Sequence, residues 1–238
     1  MASEYWKWKF RDVQPEEKRE LTPEEKRKNW WYYHKWHVVI GAVLIAIPCS
    51  LAWNAAHQVR PDYQIAYAGE NALPDDTAAA LEAEFAALGE DLNGDGRVVV
   101  RLMQYASASG ADLQTTTAAE VRLMADLTEC ESYIFLLEDP PRFQQLYRAL
   151  CKLDGTLPED GDYSAEGTYL AWGDCPVLAG LELGEFSYQL MGETVSGSSD
   201  ELLSRLYVAR RGVWTEKTAA DIEGCAVLWD KITKGAER

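Results

Sequence analysis

Val38–Ala56 reads VVIGAVLIAIPCSLAWNAA, nineteen residues without a charged side chain. At about 1.5 Å per residue, a helix of this length reaches about 28 Å, close to the hydrocarbon core of a bilayer. Helices buried in soluble domains rarely avoid charge for so long, so the stretch is expected to span a membrane. Pro48 does not veto the span, because transmembrane helices tolerate proline when neighbouring groups satisfy the freed carbonyl. The chain then divides into a cytoplasmic tail and juxtamembrane helix (1–37), a transmembrane helix (38–56) and an extracytoplasmic domain (58–238).

The flanks set the expected direction. Lys26, Arg27, Lys28 and Lys35 stand just before the span; after it comes Arg60, and the next base is Arg97. The positive-inside rule puts the N-terminus in the cytoplasm and the C-terminal bulk outside the cell membrane. Trp30, Trp31, Tyr32, Tyr33 and Trp36 crowd the inner boundary and Trp53 marks the outer one, as an aromatic belt would. A leading region of 37 residues is long for a cleaved signal, and no small-x-small site follows cleanly. Pro48 stands where a lipoprotein signal ending at Cys49 would carry a small residue. An uncleaved, single-pass signal anchor is the expectation.

Charge is distributed unevenly. Residues 1–37 hold nine bases and seven acids, whereas residues 58–238 hold fourteen bases and thirty-two acids. A domain this acidic is repelled by nucleic acid and by anionic lipid, so no nucleic-acid partner is expected. It is compatible with cation binding or with plain solubility. Cys130, Cys151, Cys175 and Cys225 allow two disulfides in three connectivities, but a domain of this size does not need them, and buried thiols remain the alternative.

In the tail, residues 4–11 (EYWKWKFR) alternate aromatic and basic side chains. They suit the inner leaflet surface, a cytoplasmic partner or a disordered tail. Thr22-Pro23-Glu24-Glu25 reads as a capped helix start that runs on into the membrane. Beyond the span, strands alternate with helices. Tyr63–Tyr67, Arg97–Tyr105 and Ser132–Leu137 read as strands; Asp75–Leu88, Thr115–Leu127 and Pro140–Leu150 read as helices. This order predicts an α/β domain of three layers with a mainly parallel sheet. Asp154–Gly167 reads as a loop, and Thr168–Trp172, Pro176–Leu183 and Phe186–Met191 as shorter strands. Gly192–Ser199 reads as a loop, Ser198 to about Ala209 as a helix opened by a capping box, and Lys217–Thr233 as a final helix.

All three histidines, His34, His37 and His57, lie beside the span. Residues 58–238 therefore lack the base of a Ser-His-Asp or Cys-His site and the ligand of a His-held zinc. No nucleophile elbow, P-loop or dinucleotide fingerprint occurs, and a non-enzymatic role is expected. Asp91-Leu-Asn93-Gly-Asp95-Gly96 matches the opening of a calcium loop, whose alternate oxygens converge on a hard cation. Leu102 stands where the twelfth-position Glu is required, so a site on Asp91, Asn93 and Asp95 would be weak; the other reading is an Asx-rich turn. In open parallel sheets, ligands gather beyond the carboxyl ends of the strands. Those ends offer Tyr67, Tyr105, Glu138 and Asp139, and Trp172 if its strand runs parallel. Aromatics with carboxylates would suit a polyol, sugar or cationic ligand. The other reading makes the tyrosines amphipathic edge residues and Asp139 a helix cap.

The segments YQIAY and RVVVRLMQY, the helix TTTAAEVRLMADL, and SYIFLLEDP followed by RFQQLYRAL together resemble one lobe of the extracellular solute-binding proteins of ABC transporters in Gram-positive bacteria. The ending YVARRGVWTEKTAADIEGCAVLWDKIT looks like the terminal helices of that family. The resemblance implies a solute-binding lobe; shortened and held by a membrane helix, unlike the lipid-anchored or free members of the family, it would act as a sensor, receptor or accessory subunit. Family members clamp the ligand between two lobes; here the middle is too short for a second, and the family's binding residues are not carried over. The other expected role is a structural or interaction module with a membrane-protein partner and no small-molecule ligand.

Overall fold

The computed structural model describes residues 22–57, 60–106, 113–190, 193–212 and 222–236. Two compact units part between Val59 and Arg60. Residues 4–11 lie outside the described residues, as does the predicted start of the last helix at Lys217.

The first unit is one helix, α1 (Pro23–His57). It opens on the predicted capping box: the Thr22 amide donates to Glu25 Oε2 at 3.0 Å, and the Glu25 amide donates to Thr22 Oγ1 at 3.4 Å. The helix is long and apolar enough to cross a membrane, and none of its most apolar window is buried within the protein.

The second unit is an α/β domain. Its elements are β1 (Tyr63–Gly69), α2 (Asp75–Leu88), β2 (Val100–Ala106), α3 (Leu113–Glu129), β3 (Ile134–Leu137), α4 (Pro140–Tyr147) and β4 (Tyr169–Ala171). A single 3-10 turn (Trp172–Asp174) follows, then α5 (Pro176–Ala179), β5 (Glu185–Leu190), β6 (Glu193–Ser198), α6 (Ser199–Leu203), β7 (Tyr207–Arg210) and α7 (Ile222–Ile232). Five strands pair in the order β2-β1-β3-β7-β4, and β5 and β6 form a separate hairpin.

The sheet is mixed. β1 lies parallel to β2 and to β3, with Ile65 beside Leu102 and Ile134. β7 then runs antiparallel to both β3 and β4. Side-chain alternation splits the core in two. Tyr63, Ile65 and Tyr67 of β1 face a cluster with Leu81 and Phe85 of α2, Leu178 of α5, Leu203 of α6 and Trp229 of α7. Ala66 of β1 and Phe135 and Leu137 of β3 face the other cluster, with Leu123 of α3 and Phe143 of α4. Helices thus cover both faces. The strand order explains the arrangement: the β1-to-β2 connection steps one way across the sheet and the β2-to-β3 connection steps back over β1. Two crossovers of the same hand in opposite directions put α2 and α3 on opposite faces.

Five predicted features differ. The mainly parallel sheet is mixed, because half of its strand pairings are antiparallel. Pro176–Leu183 is not a strand: Pro176 opens the short helix α5, where its missing N–H costs nothing. The predicted loop at 192–199 contains β6, which pairs with β5 from Glu193 to Ser198. The helix expected to reach Ala209 stops at Leu203. Ser198 does accept from the Glu201 amide at 3.5 Å, but Tyr207–Arg210 pair as β7 against the edge that β3 leaves open. Similarly, α4 ends at Tyr147 rather than Leu150, because Arg148 turns left-handed at φ 52° and Leu150 bridges to Arg211.

Cys130, Cys151, Cys175 and Cys225 are all buried. Burial, with Asp174 close by, pushes the Cys175 thiol up to about 11.

Candidate functional site

The loops leaving β1 and β3 diverge, β1 feeding α2 on one face and β3 feeding α4 on the other. Such a switch point leaves a crevice beyond the carboxyl ends of the two strands. A pocket of about 350 Å³ lies there, floored by Ala68 and Gly69 of β1 and walled by α3 and α4. Its volume is at the small end of the range of ligand pockets.

Three of the five predicted ligand residues, Tyr105, Glu138 and Asp139, line it. Tyr105 is the penultimate residue of β2 and is 5% exposed, so its ring forms wall; its hydroxyl donates to Asp126 Oδ2 at 2.7 Å. Burial first, then the bond to Asp126, hold the phenol neutral well above the ordinary tyrosine range. Asp139 is exposed and caps α4, accepting from the Arg142 amide at 3.0 Å. It combines the two roles considered for it, helix cap and pocket lining.

Glu138 is held in place. Tyr67 Oη donates to its Oε1 at 2.8 Å and the Glu70 amide donates to its Oε2 at 2.7 Å. Tyr67 therefore positions the pocket without lining it; its ring packs into the α2 face and is 1% exposed. Gly69 is required by this contact, since a Cβ there would stand 2.7 Å from the Glu138 carboxyl carbon. Trp172 is not brought to the pocket. Its strand ends at the same edge, because β4 and β3 both oppose β7, but β7 intervenes and the indole is buried among the α2-side residues.

The structure adds lining residues that strand ends alone do not reveal: Glu70 from the loop after β1, Glu120 from α3, and Arg142 and Tyr147 from α4. Helical spacing carried a signal for Glu120, which stands three residues before the buried Leu123 and so shares its side of α3. Tyr147 has its phenol raised by burial first and then by Glu120, with Arg142 acting in the opposite direction.

Behind the wall lies a buried ion pair, Arg211 to Asp126 at 3.0 Å, each side chain 1% exposed. Ser132 donates to Asp126 from its hydroxyl and from its amide, the latter at 3.0 Å, and Arg211 Nε donates to the Ser132 carbonyl at 2.5 Å. Gln64 Nε2 adds a donor to Asp126 at 3.3 Å. A buried charge needs such partners.

The loop matching a calcium motif lies between α2 and β2. The amides of Gly94 and Gly96 donate to the two oxygens of Asp91 at 2.6 and 2.7 Å. The Asp95 amide donates to Asn93 Oδ1 and the Arg97 amide to Asp95 Oδ1, both at 2.9 Å. These bonds form a chain of Asx turns, with Gly94 and Gly96 in the left-handed region. Among the described residues, no group of three or more His, Cys, Asp or Glu side chains converges as metal ligands do.

Comparison with protein-family models, with curated proteins and with solved structures finds no match to this chain.

Proposed function

We propose that the chain is a single-pass membrane protein that presents a non-enzymatic, solute-binding domain outside the cell membrane, as a sensor, receptor or accessory subunit. The observation that carries the solute-binding reading is the pocket where β1 and β3 send their loops apart, with Glu138 already oriented by Tyr67 and by the Glu70 amide. A carboxylate fixed before binding loses little freedom when a ligand arrives. Membrane anchoring is supported by α1, whose apolar side chains, Leu44, Ile45 and Leu51 among them, are exposed along its length. Apolar surface of that extent calls for an apolar surrounding. The orientation rests on the basic residues before the span.

The test is a thermal-unfolding screen of the full chain in lipid nanodiscs. It covers sugars, amino acids, amines and short peptides, with calcium set against a chelator. A ligand at one hundred times its dissociation constant stabilises the folded state by about 2.7 kcal/mol, several degrees for a domain of this size. A saturable shift that disappears in Asp139→Asn supports the reading. No shift across all solute classes removes it.

A second reading, an interaction module of a membrane complex, has one observation behind it. Val121 and Met124, three residues apart on α3, are 62% and 50% exposed. It predicts no solute-dependent shift and a partner recovered by crosslinking at position 121.

A further inference from the structure

We infer that the strand-end pocket takes a small organic cation, an amine or quaternary ammonium carried on a short apolar body. The inference rests on the solute-binding reading and names its ligand class.

The pocket's formal charges are unequal. Glu70, Glu120, Glu138 and Asp139 bring four carboxylates to it, and Arg142 is the one guanidinium among its lining residues. The N-terminus of α4 opens onto the same space, and a helix N-terminus ordinarily attracts anions. Here that option is closed. Pro140 and Pro141 have no amide hydrogen to offer, and the amide of Arg142 already donates to Asp139. Pro140, Pro141 and Arg142 thus leave no free amide for an anion at this helix end, and four carboxylates stand against the single Arg142 guanidinium.

Aromatic side chains in the lining complete the match to a cation with an apolar body. Phe143 and Tyr147 stand with ring centroids 5.0 Å apart and tilted by 55°, and Tyr105 lies in the same wall. Rings of this kind attract a desolvated cation through their negative faces. Leu123 and Leu146 supply apolar lining for the remainder of the molecule. A bare metal ion fits less well, because these carboxylates do not converge as ligands do and Glu138 is already held by two donors. The surplus of acids over the whole domain steers cations toward it.

The experiment uses the full chain in nanodiscs of neutral lipid and three probes of matched length and different charge: putrescine, butanediol and succinate. Choline serves as a one-headed cation. Calorimetric titration and the unfolding midpoint are followed at low and at physiological salt. Putrescine and choline are expected to bind saturably and more weakly at higher salt. Glu120→Gln and Glu70→Gln, surface changes that fold, are each expected to weaken putrescine about tenfold, the scale of one charge-assisted bond. Glu193→Gln, on the β5–β6 hairpin, is expected to leave it unchanged.

Butanediol binding as tightly as putrescine would overturn the cation assignment and leave the solute-binding reading standing, as would preference for succinate. Equal weakening by Glu193→Gln would show diffuse attraction to an acidic surface and also overturn it. Silence from all four probes removes the assignment too, and the broader solute screen then decides the parent reading separately.

Discussion

The two faces of the five-stranded sheet come from the same strands, yet one is filled and the other keeps an opening. β1 shows why. Toward α2 it presents Tyr63, Ile65 and Tyr67; toward α3 and α4 it presents Ala66 and Ala68, followed by Gly69 at the strand end. Large side chains pack there against Phe85 and Trp229. Small ones let α3 and α4 stand over a gap, which closes at Ala66 against Phe135 and stays open at Ala68. Difference in side-chain volume on one strand, rather than a special motif, makes the pocket.

The largest expected effects test the filled parts. Trp229→Ala should cost about 3–5 kcal/mol, as truncation of a buried aromatic does. Asp126→Ala should cost a similar about 3–5 kcal/mol, because it strands Arg211 as an uncompensated buried charge. Chemical denaturation reads both; a loss under 1 kcal/mol for either would mean that the packing around that residue is softer than its burial implies.

A step smaller is the contrast between Ala66 and Ala68. Ala66→Leu should overpack the closed part at about 1–3 kcal/mol. Ala68→Leu should cost well under that and abolish solute binding by filling the gap. Equal costs would erase the distinction between closed and open positions.

Alkali tests the two tyrosines that tie strand ends to carboxylates. Both Tyr67 and Tyr105 have phenols raised above the ordinary value of 10.0, by burial first and then by the carboxylate each one meets. A raised folded pKa means that the unfolded chain loses these protons more readily. The stabilisation is therefore fully present below pH about 10 and is lost as pH rises toward the folded values. Midpoints measured from neutral pH into alkali should fall steeply in the native chain and less steeply in Tyr67→Phe with Tyr105→Phe; identical slopes would remove the tyrosines as the cause.

The smallest effect is the most informative about the opening. Glu120→Gln should change stability by no more than about 0.5 kcal/mol, as exposed substitutions do. A larger loss would make Glu120 part of the packing rather than of the pocket mouth.

Much of this was legible beforehand. Short apolar runs marked β1 and β3, helical periodicity marked α2 with its ends at Asp75 and Leu88, and Thr22 with Glu25 marked the start of α1. Three pocket residues followed from the rule that ligands gather at strand ends. Tyr67 and Trp172 were read to the same place, but their side chains belong to the other face. The capping box at Ser198 predicts helix to about Ala209 because it is a real local signal, whereas the pull of the open β3 edge on Tyr207–Arg210 is not local. Arg211 and Asp126, eighty-five residues apart, could be paired by no window of sequence.

By itself, the sequence determined the apolar helix, the α/β class and the acidic character of the domain, since each depends on side-chain pattern within a few turns of chain. Only the tertiary structure decided the mixed sheet, the face each tyrosine joins and the gap at Ala68. Those depend on which strands find each other's backbone hydrogen-bonding groups, and on volumes contributed by segments far apart in the chain.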